Sequence, residues 1–128
     1  MADKSHRILI VDDDVDILAN LSDILTVNGY ETVTACSGPN ALDKIDSNSP
    51  NGQPRFDLCL LDFRMPGMDG VELLKRIQFK QPAIRAIMMT AYAGEDGSQR
   101  ALDAGSLKVM NKPVDIDVLL GIIDDVVA

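Results

Sequence analysis

The chain is short of positive charge. Its 12 lysines and arginines face 20 aspartates and glutamates, leaving a formal charge of −8. So acidic a surface is a poor non-specific ligand for nucleic acid, and direct nucleic-acid binding is not expected. Histidine is reduced to His6 and cysteine to Cys36 and Cys59. No His or Cys cluster of the kind zinc prefers is present. Both cysteines fall in apolar, strand-like runs, where buried reduced thiols are expected and a disulfide is not. The apolar runs stop far short of a membrane span. The first seven residues lead straight into a strand-like run and do not read as a signal peptide. A cytoplasmic location is the expectation. No Gly-rich segment ends in Lys-Ser or Lys-Thr, which excludes a P-loop nucleotidase.

What is there is an ordinary globular composition in 128 residues, with 46% hydrophobic and 25% charged side chains. That length suits one domain, residues 1–128, with a real core. Strand-like and helix-like patterns alternate along it. Arg7 to Asp12 is rich in Ile and Val, as a strand buried on both faces must be. Ile17, Leu18, Leu21, Ile24 and Leu25 recur at helical spacing before Asn28-Gly29. Tyr30 to Cys36 is β-rich. Ser37 is placed to cap a helix carrying Ala41, Leu42 and Ile45. Asp57 to Asp62 reads as the third strand. Asp69 and Glu72 resemble a capping box for a helix with Val71, Leu74 and Ile77 on one face. Ile84 to Thr90 is the fourth strand, and Asp96 to Ala104 a weaker helix stopped by Gly105. Leu107 to Met110 is the fifth strand. Asp115 is placed to cap a last helix with Leu119, Ile122, Ile123 and Val126 inward. Five such repeats imply an α/β fold with a parallel sheet covered by helices on both faces. The stretch from Ser47 to Arg55 is long for its position and reads as a surface insertion.

Ligands on such sheets bind beyond the carboxyl ends of the strands. Those ends carry Asp12 and Asp13, Asp62, Thr90 and, after the fifth strand, Lys112. Taken singly, each has a plain explanation. The Asp12-Asp13-Asp14 run suits a helix N-terminus, Asp62 a turn cap, Thr90 a β-former and Lys112 a surface charge. Together at one rim they make a site. Crowded carboxylates repel unless a cation joins them. Oxygen ligands favour Mg²⁺, with Mn²⁺ as the alternative, over Zn²⁺. Asp62 is then a nucleophile toward phosphorus, with Lys112 adding positive charge and Thr90 a hydroxyl donor.

These motifs resemble the receiver domain of two-component response regulators. The resemblance rests on Ile8-Leu9-Ile10-Val11-Asp12-Asp13, Leu61-Asp62, Met65-Pro66-Gly67-Met68-Asp69-Gly70, Met89-Thr90-Ala91, Ala104-Gly105 and Lys112-Pro113, in that order. It implies a flavodoxin-like sheet of order 2-1-3-4-5 with five helices. It makes Asp62 the phosphoacceptor for a phosphohistidine on a histidine kinase or a histidine phosphotransfer protein. It assigns Asp13 and Asp62 as side-chain metal ligands, Asp12 as a ligand through water and Arg64 as a backbone-carbonyl ligand. Thr90, the Ala91 amide and Lys112 would hold the phosphoryl oxygens. A downstream output domain or protein would read the result.

The chain departs from the family at three places. Three residues before the lysine, where the family usually has a Tyr or Phe that swings inward, stands Val109. With no ring to swing, it leaves the usual aromatic switch in question. Arg64 and Tyr92, two residues after Asp62 and Thr90, are large and flank the expected path of attacking water. Slow loss of the phosphoryl group follows. The insertion between residues 47 and 55 is the third. Gly94 and Gly97 lie at the weakest helix, so the face made by the fourth helix, fifth strand and fifth helix is expected to carry output. Two other readings compete. An aspartate-nucleophile phosphatase would normally carry a second Asp where Arg64 stands. A non-phosphorylated docking module would not need Asp12, Asp13, Asp62, Thr90 and Lys112 intact. Whether the chain acts alone or within a larger regulator or hybrid kinase is open in the sequence.

Overall fold

The computed structural model describes residues 6–47, 56–91 and 95–127. Among them, strands and helices alternate: β1 (Arg7–Val11), α1 (Val15–Val27), β2 (Glu31–Ala35), α2 (Gly38–Ser47), β3 (Leu58–Asp62), α3 (Gly70–Lys80), β4 (Arg85–Thr90), α4 (Glu95–Asp103), β5 (Lys108–Asn111) and α5 (Ile116–Val127). The strands form one parallel sheet of order β2-β1-β3-β4-β5. No helix among the described residues is long and apolar enough to cross a membrane.

The strand sequences explain their places. All five residues of β3 are buried, and β1 is buried from Ile8 onward. Apolar runs without alternation belong in the middle of a sheet covered on both faces. The edge strands β2 and β5 are only partly covered. Successive side chains then divide between two layers. Leu9, Val11, Cys59, Leu61 and Met88 pack with Ile45 of α2, Leu74 of α3 and Ala101 of α4. Ile8, Ile10, Leu60, Ile87 and Met89 pack with Leu21 and Leu25 of α1 and Leu119 and Ile123 of α5.

Short polar residues start the helices. The Asp14 side chain accepts from the amides of Asp16 and Ile17 at 3.0 and 3.3 Å. Ser37 accepts from Asn40 N at 3.1 Å, Asp69 from Glu72 N at 2.9 Å and Asp115 from Val118 N at 3.2 Å. Each such cap is worth about 1 kcal/mol. The box expected at α3 is only half formed, because the Glu72 carboxylate turns to Arg76 at 2.8 Å. Gly105 ends α4 with φ of 110°, a backbone conformation that suits glycine.

One expectation fails. Cys59 is buried, but Cys36 is exposed. The amide of Asp12 reaches the Ala35 carbonyl at 3.2 Å. The Cys36 amide instead donates to the Asn40 side chain at 3.1 Å, so the chain has already turned toward α2. The strand, Glu31–Ala35, is therefore one residue shorter at each end than its β-rich composition suggests, and the thiol is left at the surface. The insertion expected at residues 47–55 lies, after Ser47, outside the described residues.

Candidate functional site

The order of the sheet creates the site. From β1 the chain moves outward to β2, then crosses back to β3 on the other side. The connections leaving β1 and β3 diverge and open a crevice at their carboxyl ends. Asp12 and Asp13 follow β1, Asp62 ends β3, Thr90 ends β4, and Lys112 follows β5. All lie at one rim.

Asp12, Asp13 and Asp62 each bring a carboxylate oxygen within 4.8 Å of the others. Asp12 is fully buried, Asp62 is 5% exposed and Asp13 is open to solvent. One Asp12 oxygen accepts from the Asp14 amide at 2.9 Å. The other receives the Lys112 ammonium at 2.7 Å. The same ammonium lies 3.1 Å from Asp62 Oδ1. The acidic run thus splits by role: Asp14 caps α1, while Asp12 turns into the crevice.

One ammonium facing three carboxylates leaves the site with excess negative charge. Burial, then the neighbouring charge of Asp12, pushes the Asp62 carboxyl up from an ordinary 3.8 to about 6. Lys112 opposes this shift, and Asp13 adds to it. Burial alone would lower the pKa of Lys112, but its hydrogen bonds to Asp12 and Asp62 outweigh that, and the net direction is upward. The ammonium is therefore a fixed charge. The remaining imbalance and the all-oxygen donor set suit a hard divalent cation such as Mg²⁺ or Mn²⁺.

Thr90 is 1% exposed, and its carbonyl accepts from the Lys112 amide at 2.8 Å. This bond fixes the backbone that carries the lysine beside the acids. A cis peptide joins Lys112 to Pro113. Ala91 and Arg64 are both exposed at the rim. Val109 pairs in register with Met88 and packs against the layer that contains α3 and α4. Tyr92 lies outside the described residues.

The loop after Asp62 is tightly held. The Phe63 amide donates to the Met89 carbonyl at 2.8 Å, and the Phe63 carbonyl accepts from Gly70 N at 2.8 Å. A Cβ at Gly70 would stand 2.5 Å from the Asp62 carbonyl oxygen, so only glycine lets α3 begin this close to the nucleophile candidate. Sequence reasoning missed two further contacts here. Arg100 of α4 reaches Asp69 at 3.3 Å, and its guanidinium lies 5.8 Å from the centre of the Phe63 ring. No local pattern marks a pair 31 positions apart.

Known proteins share this fold. A family model described as the response regulator receiver domain matches residues 8–124. Sporulation initiation phosphotransferase F of Bacillus subtilis is 42% identical over 113 residues, which are 88% of this chain and 86% of that protein. The transcriptional regulatory protein ZraR of Escherichia coli is 37% identical over 128 residues, covering all of this chain and 28% of that protein. The chain therefore spans most of the first relative but about a quarter of the second. Among solved structures, a CheY-like receiver domain from Methanospirillum hungatei is 37% identical, with a TM-score of 0.83 over 96% of this chain and 94% of that one. A CheX–CheY–BeF3–Mg²⁺ complex from Borrelia burgdorferi matches at 31% identity and a TM-score of 0.85, over 96% and 90%. With this fold, this strand order and a family match over nearly its whole length, the chain belongs to the receiver domains of two-component response regulators.

Proposed function

We propose that this receiver domain, taken as residues 1–128, accepts a phosphoryl group on Asp62. The donor would be the phosphohistidine of a histidine kinase or a histidine phosphotransfer protein. An Asp62 carboxylate oxygen attacks phosphorus, the bond from phosphorus to the imidazole nitrogen breaks, and the electron pair returns to the histidine. The product is an aspartyl phosphate. The observation that carries this reading is the Lys112 ammonium bridging buried Asp12 and Asp62, with Asp13 beside them.

Each residue has a task in this scheme. Lys112 keeps Asp12 and turns its second contact from Asp62 to a phosphoryl oxygen. The Thr90 hydroxyl and the Ala91 amide donate to the other oxygens. Asp13 and Asp62 would hold Mg²⁺, with Mn²⁺ as the alternative, aided by Asp12 through water and by the Arg64 carbonyl. The bound ion would neutralise charge on the transferring oxygens. That the related CheX–CheY complex from Borrelia burgdorferi contains BeF3 and Mg²⁺ supports this reading.

The domain is a store rather than a turnover enzyme. Arg64 occupies the position where a phosphatase would carry its acid/base, and its exposed bulk stands two residues from the phosphoryl group. The phosphoryl group is then lost slowly. An output domain or protein would read the state at the face formed by α4, β5 and α5.

Incubation with Mg²⁺ and phosphoramidate, followed by intact mass, tests the scheme. Wild type should gain one acid-labile phosphoryl group. Asp62→Asn should gain none, and neither should wild type in EDTA. Following the decay of the gained mass in Arg64→Ala tests the storage claim, which a decay no faster than wild type would contradict.

A further inference from the structure

Val109 leaves the receiver without the side chain expected to carry a signal from the rim to α4. Another connection is present. Phe63 is joined directly to Asp62, and its amide and carbonyl are both tied down, to Met89 and Gly70. Held this way, its backbone has little slack in which a shift of Asp62 could be absorbed, and its ring is packed away in the core, 7% exposed. A Cβ built on Gly97 of α4 would meet two ring carbons of Phe63 at 3.2 Å. Glycine inside a helix costs about 1 kcal/mol against alanine. The close approach of the ring gives a reason for it. Arg100, one turn further along α4, stacks over the same ring and pairs with Asp69 on the loop that follows Asp62. The hydrogen bonds from the Glu72 amide and from Arg100 hold the Asp69 carboxyl below its ordinary range against the opposing effect of burial.

Phe63, Arg64, Met65, Pro66, Asp69 and Arg100 line an open cleft of about 470 Å³ between this loop and α4. Elsewhere α4 is thinly attached. Ala101 is its buried side chain among the described residues, and Ala104 just beyond is partly buried. Both are small. A helix so weakly packed takes its position from its few strong contacts.

We propose that Phe63 and Arg100 form a latch that carries the state of Asp62 to α4 in place of an aromatic residue at Val109. The latch rests on the phosphoacceptor reading of Asp62. Phosphorylation redirects Lys112 and the backbone at Asp62. The Phe63 ring moves with that backbone, and α4 shifts or loosens because its contacts to Gly97 and Arg100 are no longer matched. Packed contacts of this kind pass on small displacements because they have few alternative arrangements.

The test compares wild type, Phe63→Leu and Arg100→Gln. Each is treated with phosphoramidate and Mg²⁺, weighed intact, and examined by hydrogen exchange over residues 97–104. Phe63→Leu keeps apolar bulk. Arg100→Gln alters an exposed side chain and remains informative if the core variant folds poorly. Wild type should gain the phosphoryl mass and change its exchange in α4 about fivefold or more. Both variants should gain the same mass and lose most of that change. If wild type gains no mass, the phosphoacceptor reading falls and takes the latch with it. If wild type gains mass without a response in α4, or the variants respond as wild type does, the latch alone is overturned. A folded variant that gains no mass would place these residues in the chemistry and would also overturn it.

Discussion

At the scale of single residues, environment separates side chains of one type. Asp14 is a helix cap, Asp12 a buried partner of Lys112, and Asp62 a carboxyl pushed up to about 6 by burial and by Asp12. Nothing in their side chains distinguishes them; the strand ends do. The crowding has a cost in the metal-free domain. Asp62→Asn should raise its melting temperature by a few degrees, on the order of 1 kcal/mol. Added Mg²⁺ should stabilise wild type and leave the variant nearly unmoved. A variant that melts lower and still responds to Mg²⁺ would contradict this electrostatic account. The cysteines divide in the same way. Burial pushes the Cys59 thiol up to about 12, whereas Cys36 is exposed. Thiolate, not thiol, reacts with alkylating reagents. The native protein should label once, at Cys36, and twice in denaturant. Equal native labelling of both would show the core to be open.

At the scale of elements, the sequence was most legible where packing is simplest. Apolar runs located β1 and β3, and helical spacing located α1 and α3, the latter with its cap at Asp69; that Asp14 is the member of the acidic run that caps α1 came from the structure. Cys36 misled because composition cannot show where the Asn40 side chain takes an amide away from the ladder. The Arg100–Asp69 pair was invisible because it depends on where α4 comes to rest. A second long-range tie joins Tyr30, just before β2, to Asp124 of α5 through a hydrogen bond. Burial first, then that hydrogen bond and the charge of Asp124, pushes the phenol up to about 12 from an ordinary 10.0. The fold thus favours the protonated phenol. Its contribution to stability is complete below pH 10 and is lost as pH rises toward 12. The urea midpoint of wild type should therefore fall between pH 10 and 12, and Tyr30→Phe should flatten that fall. Parallel curves would remove Tyr30 from the account.

At the scale of the molecule, strand order does what no single motif can. Lys112 stands 100 positions from Asp12 and touches it because parallel strands of order β2-β1-β3-β4-β5 bring their carboxyl ends to one rim. The alternation of strands and helices was enough to anticipate that rim, and the residues at the strand ends were enough to suggest its chemistry. The link from rim to α4 was not readable, because it runs through a ring and a glycine that carry no sequence signature. The net charge of −8 fits a domain whose rim gathers three carboxylates around the Lys112 ammonium. The claim on which the rest depends is the aspartyl phosphate. Intact mass after incubation with phosphoramidate and Mg²⁺ tests it most directly. One acid-labile phosphoryl group on wild type and none on Asp62→Asn is the predicted result. An unchanged wild-type mass, or an equal gain on the variant, would contradict it.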